Sequence, residues 1–206
     1  MILPDVRGLH PFYEELARRF AEAGVHATAI DYFGRTAGLG ERGEDFDYRQ
    51  HVARLEDRTV AQDVGAAVAH VRSAEGGGAS SVFTVGFCMG GRLSFLQAAE
   101  EHGLAGVVGF YGRVGEEEQG DPTAPVNLVE RFDCPVLGLF GGADRNISAE
   151  SIQGFERALD DAGVPNELVV YEGAPHSFFD RSFTEHERAA ADAWARVLQF
   201  IDTNSS

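Results

Sequence analysis

The chain reads as one doubly wound α/β domain over residues 1–206, with a mostly parallel sheet of about six strands. Two observations predict it. Short apolar, β-branched runs alternate with amphipathic stretches along the whole length, the order that builds parallel strands with helices on both faces. In addition, several of those runs end abruptly in glycine-rich turns that carry a Cys, an Asp or a His. In an open parallel sheet, such turns gather at the carboxyl edge, where ligands bind.

Composition narrows the function class. The formal charge is −16, and all basic residues other than histidine are arginine. This balance argues against nucleic acid or an anionic membrane surface as a partner. No apolar run approaches the roughly 20 residues that span a bilayer. The start, Met1-Ile2-Leu3-Pro4-Asp5, lacks the basic and apolar segments of a signal peptide, so a cytoplasmic location is expected. Cys88 and Cys134 do not form a disulfide framework.

Taken in order, Met1-Ile2-Leu3 reads as the end of a strand leading into a loop, Pro4 to Gly8. Pro11 to Ala23 is an amphipathic helix with Phe12, Leu16 and Phe20 on one face, Pro11 in its first turn and Gly24 as its stop. Val25 to Ile30 reads as the next strand. Residues from Phe33 to about Leu55 form a glycine- and charge-rich excursion, a length usually kept for function. Glu56 to Ser73 is a helix with an apolar stripe of Val60, Val64, Ala67, Val68 and Val71. Val82 to Val85 is a buried strand, and a helical pattern runs from Arg92 to about Glu101. Strands follow at Gly106–Phe110, Pro135–Phe140 and Glu167–Tyr171. The last helices are Ser148–Ala162, with Ser148 as N-cap, and Glu185–Ile201.

The stretch Val82 to Gly91, V-F-T-V-G-F-C-M-G-G, organises the rest. It has the form of a G-x-S-x-G elbow with cysteine in place of serine. The turn lifts the thiol above the sheet edge, Gly86 and Gly90 leave room for a backbone that a Cβ would obstruct, and the following helix points its positive end at the sulfur. A lone free cysteine is commonly just a small buried hydrophobe. Here it comes with Asp144 in G-G-A-D and His176 in A-P-H, each just beyond a strand. The order of nucleophile, acid and histidine assigns the roles. Cys88 attacks an acyl carbon to form a thioester, His176 moves the protons, and Asp144 fixes the imidazole tautomer. The backbone N–H groups of Met89 and Val6 are the expected oxyanion donors. Tyr111, Phe178 and Phe179 are candidates for lining the substrate pocket, together with Phe33 and Phe87; Cys134 and the other histidines are read as structural or surface residues.

G-F-C-M-G-G, G-G-A-D and P-H-S-F-F, with P-D-V-R-G-L-H at the start and D-Y-F-G-R after the second run, resemble the dienelactone hydrolase family of α/β-hydrolases. The resemblance covers essentially the whole chain. It implies an α/β-hydrolase fold, a Cys-Asp-His triad on Cys88, Asp144 and His176, and hydrolysis of small esters or lactones of the carboxymethylenebutenolidase kind without cofactor or metal. It further implies an acid in the first loop that helps to ionise the thiol. Asp5 stands at that position, one methylene shorter than the usual Glu. Family members hold a substrate carboxylate with arginines, one of them four residues after the histidine. Here that place is Asp180, an acid that would repel a carboxylate, with Arg181 next to it; Arg35, Arg42, Arg49 and Arg54 in the excursion are further cations. The family's N-terminal antiparallel hairpin is lacking. Residues 25–30 would then lie at a sheet edge, covered by a loop or by a second chain, as in a homodimer.

Two other readings stand beside hydrolysis. One is a non-catalytic small-molecule binding protein on the same scaffold, with binding but no turnover. The other is a redox-sensing thiol, which would want a resolving cysteine nearby.

Overall fold

β-branched and aromatic runs with no polar face can be buried on both sides, and they form the middle of the sheet. The computed structural model describes residues 1–40, 42–43, 45–116 and 120–205. Its sheet has five parallel strands in the order β1 (Ile2–Leu3), β2 (Phe83–Phe87), β3 (Gly106–Phe110), β4 (Val136–Gly141) and β5 (Asn166–Tyr171). Every residue of β2, β3 and β4 is buried, whereas β5, at the edge, is half-exposed.

The sixth expected strand is a correction. Residues 25–30 contribute one parallel bridge, Ala29 to Ile2, with hydrogen bonds from Ile2 N–H to Thr28 O and from Ile30 N–H to Ile2 O. β1 is only two residues long, so its outer side can pair with little more than one residue. His26 and Thr28 are exposed, and the segment lines a cavity of about 950 Å³ with Met1, Phe20, Leu198 and Ile201.

The helices are α1 (Pro11–Glu22), α2 (Gly34–Ala37), α3 (Arg49–Val52), α4 (Asp57–Arg72), α5 (Met89–Leu96), α6 (Ala149–Asp161) and α7 (Glu187–Asn204). Parallel crossovers are right-handed. The chain moves outward from β1 to residue 29, then back across β1 to β2 and onward, so α1 lies on one face and α4, α5 and α6 on the other. Ring contacts agree: Phe20 of α1 meets Trp194 of α7 at 4.7 Å, and Phe95 of α5 meets Phe155 of α6 at 5.4 Å. The reversal of direction falls between β1 and β2, and the loops leaving their carboxyl ends diverge there.

The excursion is folded rather than open. Arg42 is buried, pairs with Asp31, donates to the carbonyls of Gly38 and Gly40, and lies 5.0 Å from the Phe46 ring. Phe46 stacks on His51, which meets Thr36 Oγ1 through Nδ1 at 2.8 Å. Among the described residues no helix is long and apolar enough to cross a membrane.

Candidate active site

β2 ends at Phe87, and the next residue reverses the chain. Cys88 has φ 55° and ψ −115°, a conformation that costs a non-glycine residue energy and persists only where the surroundings enforce it. Two features enforce it. Cys88 N–H donates to Phe110 O at 3.0 Å, and Cys88 O accepts from the N–H groups of Gly91 and Arg92 at 3.0 and 3.2 Å. The turn also leaves no room for side chains. A Cβ on Gly86 would sit 1.9 Å from Gly90 O, and one on Gly90 would sit 2.1 Å from Leu3 O and 2.2 Å from Pro4 O. The helix therefore starts at Met89, three residues earlier than the sequence pattern suggests, because Gly90-Gly91 can pack directly against β1 and β3. The sulfur sits at the N-terminal, positive end of α5.

Asp144, in the turn after β4, and His176, in the loop after β5, meet beside this elbow. His176 Nδ1 donates to Asp144 Oδ2 at 2.6 Å, and Asp144 Oδ1 accepts from Asn146 N–H at 2.8 Å. The Asp144 side chain is buried, and that of His176 is 24% exposed. Burial alone would lower the imidazole pKa; the hydrogen bonds to Asp144 and Cys88 and the charges of both override it and raise the value to about 9. With Nδ1 committed to Asp144, Nε2 is the nitrogen left for the sulfur. Burial pushes the Asp144 carboxyl up, but the bonds from His176 and Asn146 hold it below its ordinary value. The imidazole is thus held in one tautomer between a carboxylate and a thiol.

The first loop closes the site from the β1 side. Among the described residues, neither Val6 N–H nor Met89 N–H has an acceptor in the protein, so both are free to receive one. Asp5 is buried, and its carboxylate is taken by Arg7, through the backbone N–H at 2.8 Å and the guanidinium Nε at 3.0–3.1 Å, with His10 at 3.9 Å. Burial raises its pKa, but the nearby His10 ring and the bonds and charge of Arg7 hold it well below the carboxylate range. Asp5 thus holds a cation across its carboxylate.

Asp180 differs from expectation in the same way. Its side chain is buried, accepting from Arg7 at 3.1 Å and from the Tyr111 hydroxyl at 3.2 Å. It is not a free acid facing a ligand. Arg7, from the first loop, bridges two carboxylates from opposite ends of the chain.

The expected pocket side chains are mostly core. Phe178 and Phe179 are 0% and 2% exposed; Phe179 packs on Phe110 at 4.6 Å and Phe178 on Tyr171 at 5.0 Å, so neither offers surface to a ligand. Tyr111 is buried too, with its ring 4.9 Å from that of His176. Phe33 and Phe87 are equally enclosed. Arg181 is exposed, Arg35 pairs with Asp63 at the surface and Arg42 is buried in the excursion. A second cavity, about 540 Å³, touches Asp144 and is flanked by Arg113, Arg145 and Glu116. Burial pushes the Cys134 thiol up to about 12. Among the described residues, no group of His, Cys, Asp and Glu is arranged to hold a metal ion.

Sequence reasoning missed Arg7, Tyr13 and Tyr32. The signal was there: Arg7 lies two residues from Asp5 in the first loop, and Tyr32 lies just beyond residues 25–30, on the same edge as Cys88.

A strained cysteine on a strand-to-helix turn, a tied His-Asp pair and this strand order lead to comparison with known proteins. The profile of the dienelactone hydrolase family matches residues 1–205. The chain belongs to the dienelactone hydrolase family. Membership makes it a hydrolase of the carboxylic ester and lactone class. It is 33% identical over 210 residues to a Salmonella typhimurium protein assigned as a carboxymethylenebutenolidase, covering 98% of this chain and 75% of that one. It is 30% identical to the carboxymethylenebutenolidase of Rhodococcus opacus, covering 98% and 79%. The crystal structure of a protein assigned as a dienelactone hydrolase from Klebsiella pneumoniae superposes with a TM-score of 0.85 at 31% identity, covering 98% of this chain and 85% of that one.

Proposed function

We propose that this dienelactone hydrolase relative cleaves small esters or lactones through a thioester on Cys88. The observation that carries the reading is the strained Cys88 at the start of α5, with His176 bonded to Asp144 beside it. Cys88 Sγ, its proton held by His176, adds to the acyl carbon, and a C–S bond forms while the carbonyl π pair moves to oxygen. Val6 N–H and Met89 N–H receive that oxyanion, each such donor typically being worth roughly 3 kcal/mol in the transition state. The C–O bond to the leaving alkoxide then breaks, and imidazolium Nε2 supplies its proton. In a lactone the alcohol stays tethered to the acyl group. Water, deprotonated by His176, adds to the thioester; the C–S bond breaks and the sulfur regains its proton. Asp144 keeps the imidazole in one tautomer and stabilises its charged form.

For the substrate, the Asp5, Arg7 and Asp180 cluster is the chief consideration. The one cation in the first loop is saturated by two buried carboxylates, so the site favours an uncharged acyl group over a carboxylate-bearing one. A short p-nitrophenyl ester series and a dienelactone, run with wild type and Cys88→Ala, test both parts. Turnover should vanish in the variant, with a Cys88-linked acyl adduct in wild type by mass spectrometry. Full activity in Cys88→Ala would refute the nucleophile, and a dienelactone rate above that of the neutral esters would refute the preference.

A further inference from the structure

The loop that carries Val6 is held by two buried tyrosines whose place in the reaction nothing above has assigned. Tyr13 and Tyr32 are 0% and 2% exposed. Asp5 N–H donates to the Tyr13 hydroxyl at 3.0 Å. The Tyr32 hydroxyl donates to Pro4 O and lies 3.1 Å from Asp5 O. Pro4 O and Asp5 N–H belong to one peptide group, so the two tyrosines grip it from both ends. Asp5 O belongs to the next peptide group, whose N–H is that of Val6, and it also accepts from Gly8 N–H at 2.9 Å. A peptide whose carbonyl accepts hydrogen bonds has a more polarised N–H, since bonds in a chain reinforce one another. The clamp thus acts on the orientation of the Val6 N–H and on its donor strength.

We propose that Tyr32 is a positioning residue for acyl transfer, its hydroxyl holding the Pro4-Asp5-Val6 backbone so that Val6 N–H meets the oxyanion. This rests on the reading that Cys88 is acylated. Two facts favour it over a merely structural tyrosine. The Pro4 carbonyl that Tyr32 holds, with that of Leu3, lies where a Cβ on Gly90 would sit, so the clamped loop packs directly on the elbow. Tyr32 also stands close enough to Cys88 for the sulfur's charge to disfavour its own ionisation, and burial, the larger effect, keeps it a protonated donor.

The test compares two reactions at one sulfur. Acylation by p-nitrophenyl acetate needs the thiolate and the oxyanion donors, whereas alkylation by iodoacetamide needs only the thiolate. Tyr32→Phe removes one oxygen and keeps the ring that packs on Phe33 at 5.2 Å. The expected result is a burst rate lowered about tenfold, a fraction of the roughly 10²–10³ lost when a donor is removed outright, with alkylation changed less than twofold. Tyr13→Phe, acting on the other end of the Pro4-Asp5 peptide, should give the same split and serves if Tyr32→Phe does not fold. Equal rates for both reactions, or an equal fall in both, would overturn the proposal. A wild-type protein that is alkylated but never acylated at Cys88 would overturn the acyl-enzyme reading itself, and this inference with it.

Discussion

Replacing Arg7 with methionine should change the sign of the pH dependence of stability at this site. Among the described residues, Arg7 is the arginine that bonds both Asp5 and Asp180, and one of its terminal nitrogens serves both. The two carboxylates are 4% and 3% exposed, and Arg7 is 31% exposed. Breaking a buried ion pair by removing one partner typically costs about 3–5 kcal/mol. Because Arg7 is partly solvated, the lower end applies, about 3 kcal/mol at pH 7.5. In wild type, Asp5 is held below its ordinary value of about 3.9, so its contribution is present above that pH and is lost as pH falls through the lower folded value. In Arg7→Met the two acids lose the cation they share, while Asp5 keeps the backbone N–H of residue 7 and Asp180 keeps the Tyr111 hydroxyl, and burial plus repulsion raises the Asp5 pKa. The penalty then grows as pH rises through the raised value and eases in mild acid. Urea unfolding at pH 7.5 and pH 5.0 should show a loss of about 3 kcal/mol at the higher pH and at least about 1 kcal/mol less at the lower. Adding Asp180→Asn should recover part of the loss at pH 7.5. A loss equal at both pH values, or under about 1 kcal/mol at pH 7.5, would refute the argument.

Other outcomes follow from the same geometry. Gly90→Ala would press a methyl on two backbone oxygens, 2.1 and 2.2 Å away; overpacking of backbone costs about 1–3 kcal/mol or more, so thermal unfolding should fall by several degrees and Cys88 acylation with it. His176 should titrate by NMR near 9, and in Asp144→Asn it should titrate lower. Its raised pKa contributes stability that is fully present below the unfolded value of about 6.5 and lost as pH rises through about 9; wild type should therefore lose stability between those values more steeply than Asp144→Asn. Iodoacetamide at pH 8 should label Cys88 and spare Cys134, whose thiol is buried and pushed up to about 12; peptide mapping reads this directly.

The strand-turn-helix logic around Cys88 was legible without coordinates because it is local. Gly86 and Gly90 mark a turn too tight for side chains, and a β-branched run before it can only be a buried strand. Asp144 and His176 were legible because a parallel sheet brings every carboxyl-end turn to one edge, so residues separated by 32 positions meet as His176 meets Asp144. Residues 25–30 misled because a strand is made by its partner as much as by its own residues, and a two-residue β1 gives that partner almost nothing to pair with. Phe178 and Phe179 read equally well as pocket wall or as core, since hydrophobicity does not say which side of a chain faces a cavity; packing on Phe110 and Tyr171 decided it. The state of Asp5 and Asp180 also required the tertiary structure. Their residue types look repulsive in sequence, and only the fold brings Arg7 between loops 173 positions apart. Local sterics and sheet topology can be read from a chain. The charge a site presents depends on which ions the fold places within hydrogen-bond reach of each other.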